Sequence, residues 1–219
     1  MSCRVVVLIS GSGSNLQAVL DDLADADAPA EVVAVISNKA EAYGLERARS
    51  AGIETRALDH RSFADRAAYD QALIEQIDAF APDLVLLAGF MRILTATFVT
   101  HFHGRLLNIH PSLLPKYKGL QTHQRALDAG DAEHGASIHF VTEELDGGPL
   151  VLQGRVVVHP DDDADSLAKR VQQQEHRLYP LVVRWFASGR LRLINGLASL
   201  DGKPIPSGGL RLETIESSM

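Results

Sequence analysis

The chain has little of what marks several protein classes. It carries one cysteine, Cys3, which excludes an intrachain disulfide and a cysteine-based zinc cluster. Its lysines and arginines are scattered and its formal net charge is −7. Nucleic acid is therefore not expected as the main partner, because binding to a phosphate backbone needs a basic stripe. The N-terminal apolar run, residues 5–9, is too short for a signal peptide or a membrane span, so we expect a soluble cytoplasmic protein.

What is present suits one globular domain. With 219 residues, the chain is long enough for one sizeable α/β domain or two small ones. Its 46% hydrophobic and 5% aromatic content predicts an aliphatic core. We find no internal repeat, low-complexity tract or linker. The sequence therefore predicts a single domain over residues 1–206, followed by a disordered tail over residues 207–219.

Apolar strands alternate with helices through the first half of the chain. The predicted strands are 4–9, 31–36, 53–57, 84–88 and one ending at Asn108, and the predicted helices are 16–24, 42–51, 63–80 and 96–102. Strands that are apolar throughout, with helices between them, indicate a parallel sheet covered on both faces.

The second half has a different pattern. Strands over 136–142 and 150–158 are joined by a glycine-containing loop, which predicts an antiparallel pair. A long helix over 166–186, with Asp163 or Asp165 as its N-cap, leads to a strand at 191–194 and a hairpin turn at Asp201-Gly202. The predicted fold class is α/β, with a mostly parallel twisted sheet, helices on both faces and an antiparallel C-terminal part.

The segment Asn108-Ile109-His110-Pro111 constrains the chemistry most. Residues two apart in a strand face the same side, so Asn108 and His110 project together. Pro111 ends the strand. An amide donor beside an imidazole, at the carboxyl end of a strand, is suited to hold a polarised carbonyl group. A turn in which Asn108 bonds to backbone and His110 is half-buried is an equally good account.

A glycine-rich loop, Ser10–Asn15, follows the first strand and opens a helix. The N–H groups and the dipole of a helix N-terminus favour an anion. Leu16 stands where a dinucleotide fingerprint needs its third glycine, and the acidic residue and the P-loop lysine are missing too. The loop therefore predicts a site for one phosphate, with Ser14 and Asn15 as extra donors. A tight turn without a ligand is the alternative.

Asp146 precedes Gly147-Gly148-Pro149, in a loop that can reach over the edge of the sheet. A carboxylate near His110 would favour the imidazolium and hold the ring. Asn108, His110 and Asp146 would together suit transfer of an acyl group between two nitrogens. In this hypothesis the first two stabilise the tetrahedral oxyanion, and Asp146 takes the proton of the attacking amine, directly or through a water. Ordinary turn chemistry before Gly-Gly is the alternative.

Six segments, in order and at similar spacing, resemble the phosphoribosylglycinamide formyltransferases, the folate-dependent family of purine synthesis. The resemblance spans about residues 4 to 203. The segments are 5–15, 37–49, 86–94, 104–117, 139–149 and 171–180.

The resemblance implies a Rossmann-like formyltransferase fold and transfer of a formyl group from 10-formyltetrahydrofolate to the amine of phosphoribosylglycinamide (GAR). It implies catalysis by Asn108, His110 and Asp146. The implied contacts to GAR are Gly13, Ser14, Asn15, Gln172 and Glu175. The implied contacts to folate are Arg66, Met91, Arg92, Ile93, Leu94, Asn108, Thr142, Glu143, Glu144, Leu145 and Asp146.

The resemblance also implies what the reaction uses. The expected partners are the two small molecules alone, with no metal, no ATP, no nucleic acid and no membrane, in a monomer or homodimer. Lys118 and Gln121 depart from the bacterial pattern, where proline and histidine are frequent, which bears on local loop geometry. His123 and His134 are expected to be exposed or capping residues.

Three other functions compete with transfer of a formyl group to GAR. A formyltransferase acting on initiator methionyl-tRNA shares the Asn-x-His core, but it carries a further nucleic-acid-binding domain, which we do not expect after Phe186. A folate- or nucleotide-binding protein without turnover is disfavoured by the three intact polar residues. A nicotinamide oxidoreductase is disfavoured by the incomplete glycine fingerprint.

Overall fold

The computed structural model describes residues 2–213. The Cα positions divide into two compact units, the first ending at Asn108 and the second beginning at Ile109. This boundary falls within a strand, β5 (Leu106–His110). The prediction of one domain over residues 1–206 stays a prediction.

The first unit is a parallel sheet with helices between its strands. Its strands are β1 (Cys3–Ile9), β2 (Ala30–Ser37), β3 (Glu54–Ala57), β4 (Leu84–Leu87) and the start of β5, in the spatial order β5-β4-β1-β2-β3. Its helices are α1 (Ser14–Asp22), α2 (Tyr43–Ser50), α3 (Arg66–Asp78) and α4 (Ala96–His101), with a 3₁₀ turn at His60–Ser62.

The central strands of this sheet are apolar throughout because both of their faces are covered. Every residue of β4 is buried, as are the last five of β1, whereas the edge strand β3 has none. Ile9 pairs with Ser37, and Leu87 pairs with Asn108. The carboxyl ends of these strands therefore lie at one edge of the sheet, which is where parallel α/β sheets place their functional loops.

The second unit mixes a sheet with one long helix. After β5 it contains α5 (Thr122–Asp128), β6 (Glu133–Phe140), β7 (Leu150–Val157), α6 (Ala164–Ala187), β8 (Leu191–Ile194), β9 (Leu197–Leu200), β10 (Lys203–Pro204) and β11 (Leu210–Arg211). Strands β6 and β7 pair antiparallel, and β8, β9 and β10 form a separate antiparallel sheet. The side chain of Asp163 accepts the backbone N–H of Ser166 and so caps α6, and the backbone N–H of Asp163 donates in return to the hydroxyl of Ser166.

These elements confirm the predicted α/β fold class, the parallel strand pattern and the antiparallel C-terminal part. Two details differ from expectation. Helix α5 was not predicted, since seven residues give too short an apolar repeat to recognise. Strand β5 runs on to His110.

The predicted disordered tail needs a correction in its first part. Leu210 pairs with Leu152 of β7 in a parallel register, and Leu212 is buried. A pair of strand residues flanked by short polar stretches has no periodicity in sequence, so only its partner strand reveals it. The rest of the predicted tail, residues 214–219, lies outside the described residues.

No helix within residues 2–213 combines the length and the apolar character needed to cross a membrane.

The contact between β6 and β7 generates a first prediction. A Cβ added at Gly135 would lie 2.0 Å from the carbonyl oxygen of Gly154. Gly135→Ala is expected to lower the free energy of unfolding by about 1–3 kcal/mol, because the two strands must move apart. Chemical denaturation measures this. Gly208→Ala is the matched control, since its Cβ would meet no atom within 4 Å, and an equal loss in both variants would contradict the close approach.

Candidate active site

His110 lies at the carboxyl end of β5, where its side chain is almost fully buried. Its Nε2 lies 2.9 Å from the carbonyl oxygen of Tyr117. A carbonyl only accepts hydrogen bonds, so Nε2 carries a proton and donates it. This contact fixes the plane of the ring and turns Nδ1 to the opposite side.

Asp146 lies on that opposite side. Its Oδ2 is 3.4 Å from Nδ1 of His110, and the two side chains are 8% and 9% exposed. The backbone N–H of Gly119 donates to the same oxygen at 2.8 Å. A proton on Nδ1 would therefore sit between the imidazole and a carboxylate that is already held in place. The predicted proximity of Asp146 to His110 is confirmed.

The loop that carries Asp146 has a constrained backbone. The N–H of Phe140 donates to the carbonyl of Pro149 at 3.0 Å, which closes the loop at its base. A Cβ at Gly148 would lie 1.8 Å from the carbonyl oxygen of Phe140, so only glycine fits there. Asp146 itself has a φ of 48°, in the left-handed region that residues other than glycine adopt infrequently.

His139 lies on the far side of the same carboxylate. Its Nε2 is 3.8 Å from Oδ1 of Asp146, and its Nδ1 donates to the carbonyl of Phe140 at 2.9 Å. Burial lowers the pKa of His139, which favours the neutral ring. With its proton on Nδ1, the neutral ring turns the unprotonated Nε2 towards the carboxylate of Asp146.

A buried network of polar side chains holds the segment between His110 and α5 in place. The hydroxyl of Ser137 donates to the carbonyl of Ser112 at 2.6 Å and accepts the N–H of Leu114 at 3.0 Å. The side-chain amide of Gln153 donates to Ser137 and to the carbonyl of Leu114. Because Ser112, Ser137 and Gln153 are all within 2% of full burial, breaking these bonds is costly.

The tip of the same segment is held by Asp131. The Asp131 carboxylate accepts from Nζ of Lys116 at 2.8 Å and from the hydroxyl of Tyr117 at 2.7 Å. Tyr117 has a φ of 56°, which directs its carbonyl to His110 while its ring faces Asp131. Tyr117 is therefore held at two points: its hydroxyl bonds to Asp131, and its carbonyl accepts the hydrogen bond that orients the His110 imidazole.

His123 and His134, which the sequence predicts to be exposed or capping, are half-buried and buried respectively. Nδ1 of His123 lies 3.2 Å from Nε2 of His134, their rings pack edge to face, and His134 is 1% exposed. Desolvation, followed by the charge of the neighbouring imidazole, lowers the pKa of His134 to about 4. Desolvation lowers the pKa of His123 as well. His123 lies on α5, a helix that the sequence pattern did not reveal, and this helix brings its ring against His134.

The predicted phosphate loop precedes α1. Gly13 has a φ of 70°, and α1, which the structure describes in full, has no side-chain cap and no acidic residue in its first turn. A Cβ at Gly13 would lie 2.6 Å from the Cα of Gly44, so the loop packs directly on α2. Nε of Arg47 donates to the carbonyl of Ser12 at 2.8 Å. This backbone shape, with a cation against it, suits an anion.

The turn after β4 presents apolar side chains outward. Met91 is 67% exposed and Ile93 is 59% exposed. The guanidinium of Arg92 stacks on the ring of Tyr69, 4.9 Å from its centre. Burial raises the pKa of Tyr69 to about 12, so the ring that supports Arg92 stays neutral. Exposed apolar groups on an ordered turn are a feature of ligand-binding surfaces.

The other predicted site residues differ in how far they are exposed to solvent. Arg66 is exposed at the start of α3, and Asn108 is half-buried on β5, two residues before His110. On α6, Gln172 is exposed and Glu175 is buried. In the loop that carries Asp146, Thr142 is half-buried, whereas Glu143, Glu144 and Leu145 are exposed.

Comparison with known proteins assigns the family. A profile of the formyl transferase family matches residues 3–183. The phosphoribosylglycinamide formyltransferase of Escherichia coli (strain K12) is 58% identical over 206 residues, which are 94% of this chain and 97% of that protein. The protein of the same name from Haemophilus influenzae is 50% identical over the same shares. A solved phosphoribosylglycinamide formyltransferase from Coxiella burnetii is 49% identical, covers 96% of this chain and 99% of its own, and superposes with a TM-score of 0.92. This chain belongs to the formyl transferase family.

The resemblance inferred from the motifs is therefore confirmed, and the two departures have a structural account in this formyltransferase. Nζ of Lys118 donates to Oε1 of Glu144 at 2.6 Å, which joins the segment after His110 to the loop of Asp146. Gln121 has a φ of 56° directly before α5. Neither residue disturbs the contact between His110 and Asp146.

Sequence reasoning missed three groups around the formyltransferase's buried pair. They are the carbonyl of Tyr117, the N–H of Gly119 and the ring of His139. Backbone groups leave no signature in side-chain patterns. His139 stands within the segment 139–149 that carries the resemblance, at the end of an apolar strand, and this position was the available signal.

The histidine pair generates a second prediction, for stability against pH. Because the pKa of His134 is about 4 in the folded formyltransferase and near 6.5 in an unfolded chain, only the unfolded chain takes up a proton between these values. Stability is therefore complete above pH 6.5 and falls as the pH drops towards 4, by about 2 kcal/mol. Thermal unfolding from pH 7.5 to pH 4.5 measures the slope. His134→Gln is expected to flatten it, and an unchanged slope would contradict the assignment.

Proposed function

We propose that this formyltransferase transfers the formyl group of 10-formyltetrahydrofolate to the glycinamide amine of GAR, giving formyl-GAR and tetrahydrofolate in de novo purine biosynthesis. The observation that carries the proposal is the buried pair of His110 and Asp146 at the end of β5, in a chain of this family. A titratable ring beside a carboxylate supplies what transfer from one nitrogen to another requires: stabilisation of an oxyanion and removal of a proton.

In the proposed mechanism the amine of GAR attacks the formyl carbon without a covalent enzyme intermediate. The new C–N bond forms as the carbonyl oxygen gains negative charge. Asn108 is two residues before His110 on β5, so strand alternation directs both to one side. The amide of Asn108 donates to the developing oxyanion. The His110 ring, fixed by Tyr117, supplies positive charge when protonated at Nδ1.

Asp146 handles the proton in this mechanism. The attacking amine becomes positively charged and must lose a proton before the bond from the formyl carbon to the folate nitrogen breaks. The Asp146 carboxylate accepts this proton, directly or through a water, and returns it by the same route to the folate nitrogen as the bond between that nitrogen and the formyl carbon breaks. Because Gly119 and His110 hold Asp146 at a fixed position, no rearrangement of the carboxylate is needed at the moment of transfer.

Recognition of GAR is assigned to the phosphate loop and α6. Gly13, Ser14 and Asn15 form the first turn of α1 and its entry, where backbone N–H groups favour a phosphate. Gln172 and Glu175 lie three residues apart on α6, on one face of that helix. We assign their polar side chains to the glycinamide ribonucleotide, and their resemblance to family positions supports this.

Folate recognition is assigned to the turn at 91–94, to Arg66, to Asn108 and to the loop at 142–146. A flat pteridine ring needs apolar contact together with backbone donors and acceptors. The exposed side chains of Met91 and Ile93, on a turn with accessible backbone, fit this need. Arg66 offers an exposed cation to the carboxylates of a folate tail.

The proposal includes the conditions of the reaction. The formyl group arrives already activated on nitrogen and the acceptor is an amine, so we propose that neither ATP nor a metal ion takes part. We further propose a cytoplasmic enzyme, monomeric or homodimeric, whose partners are these two small molecules rather than nucleic acid or a membrane.

The direct test is an assay of the purified chain with GAR and 10-formyltetrahydrofolate, in the presence of EDTA and without ATP. Formyl-GAR and tetrahydrofolate are expected in equal amounts. A GAR analogue without its phosphate is expected to bind at least tenfold more weakly, since it loses its contacts to the loop. Equal binding would contradict the phosphate assignment. Formylation of another amine but not of GAR would contradict the proposed substrate.

Replacement of Asp146 by asparagine is a separate prediction. Asp146→Asn keeps the shape of the side chain and one acceptor for the N–H of Gly119 but removes the proton acceptor. It is expected to lower kcat by about two to four orders of magnitude and to change KM for GAR by less than about threefold. Asp201→Asn is the charge-matched control, because Asp201 pairs with Arg190 in the C-terminal hairpin. Loss of GAR affinity with kcat unchanged would contradict the role in proton handling.

A further inference from the structure

Ser10 joins the two loops to which we assign the two substrates. It is the first residue of the phosphate loop, directly after β1. Its hydroxyl donates to Oδ1 of Asn38 at 2.6 Å and accepts the backbone N–H of Met91 at 2.8 Å. Ser10 is 5% exposed and Asn38 is 3% exposed. The hydrogen bond that this hydroxyl accepts from Met91, the first residue of the turn at 91–94, is therefore partly shielded from water, which strengthens it.

Asp70 occupies the equivalent position at the other end of this turn. Its Oδ2 accepts the backbone N–H of Thr95 at 2.6 Å, and the side chain is 1% exposed. The adjacent residue on α3, Tyr69, carries the guanidinium of Arg92 on its ring. Helix α3 therefore holds both the middle and the end of the turn, while Ser10 holds its beginning.

The turn needs these hydrogen bonds because its own apolar side chains are mostly exposed and so contribute little packing to hold it in place. Met91 and Ile93 are mostly exposed, and Gly89 just before the turn has a φ of 76°. An exposed apolar turn that is free to move would lose conformational entropy when a ligand orders it, and this would weaken binding. Fixing both ends in advance removes most of that cost.

We propose that Ser10 and Asp70 are positioning residues for folate: their buried hydrogen bonds to Met91 and Thr95 hold the 91–94 turn in its binding shape. Both act through the turn and touch no substrate. The inference rests on the proposed function, because it assigns folate to this turn. It extends that function because Ser10, although it is the first residue of the phosphate loop, is assigned an effect on folate binding and not on GAR binding.

Ser37 provides a matched control for Ser10. It ends β2, next to the residue before Ser10, and it is fully buried. Its hydroxyl also accepts a backbone N–H, that of Lys39 at 3.0 Å, but this bond stays within its own loop. Ser10→Ala and Ser37→Ala therefore remove the same group at neighbouring strand ends, and only the first releases the turn.

The first experiment compares these two variants. Ser10→Ala is expected to raise both KM for 10-formyltetrahydrofolate and Kd for tetrahydrofolate about tenfold, with KM for GAR within about twofold. Exchange of the Met91 amide, followed by NMR without ligand, is expected to accelerate at least about tenfold. Ser37→Ala is expected to leave all four quantities within about twofold. Equal effects of the two variants on folate, or an unchanged Met91 amide, would overturn the proposal.

The second experiment uses Asp70. Asp70→Asn retains an oxygen that accepts the Thr95 N–H, so it is expected to keep folate affinity within about threefold, whereas Asp70→Ala is expected to lose about tenfold. Equal losses would overturn the role of Asp70. Wild-type protein that binds no tetrahydrofolate would overturn the proposed function and the folate role of the turn together. Wild-type binding that neither Ser10→Ala nor Asp70→Ala weakens would overturn the positioning roles alone.

Discussion

A carboxylate that is nine-tenths buried must be compensated, and Asp146 meets this requirement through two groups. The N–H of Gly119 donates to its Oδ2, and Nδ1 of His110, which supplies positive charge when it is protonated, faces the same oxygen. An uncompensated charge at this depth would either become protonated or expel its own loop from the fold. The arrangement of His110 and Asp146 therefore depends on the segment between β5 and α5, which supplies both Gly119 and the carbonyl that orients His110.

Buried polar side chains hold backbone loops at several places in this protein. Ser137 and Gln153 fix the segment after His110, and Asp131 fixes the residue whose carbonyl meets the imidazole. Ser10 and Asp70 do the same for the turn after β4. In each case a rigid strand or helix carries the side chain, and the loop contributes a backbone group. Loops that have little core of their own gain their order in this way.

Several elements were predictable because their signal is local. The parallel strands of the first half are apolar throughout, and Asn108 and His110 share a face by alternation alone. Helix α5 and strand β11 were missed because they are short and take their stability from packing. His134 was expected to be exposed or capping, and it is buried, with the ring of His123 on α5 packed against it. The catalytic and binding roles of the site residues stay proposals that follow from family resemblance and geometry.

The sequence by itself determined the α/β class, the family and the identity of the polar residues, since these follow from periodicity and from motifs in order. Only the tertiary structure decided that Asp146 lies 3.4 Å from His110, because 35 intervening residues must fold before the two side chains can meet. It also decided which backbone groups complete the site. Positions of N–H and carbonyl groups depend on φ and ψ, and every residue except proline carries both groups, so no sequence pattern marks them.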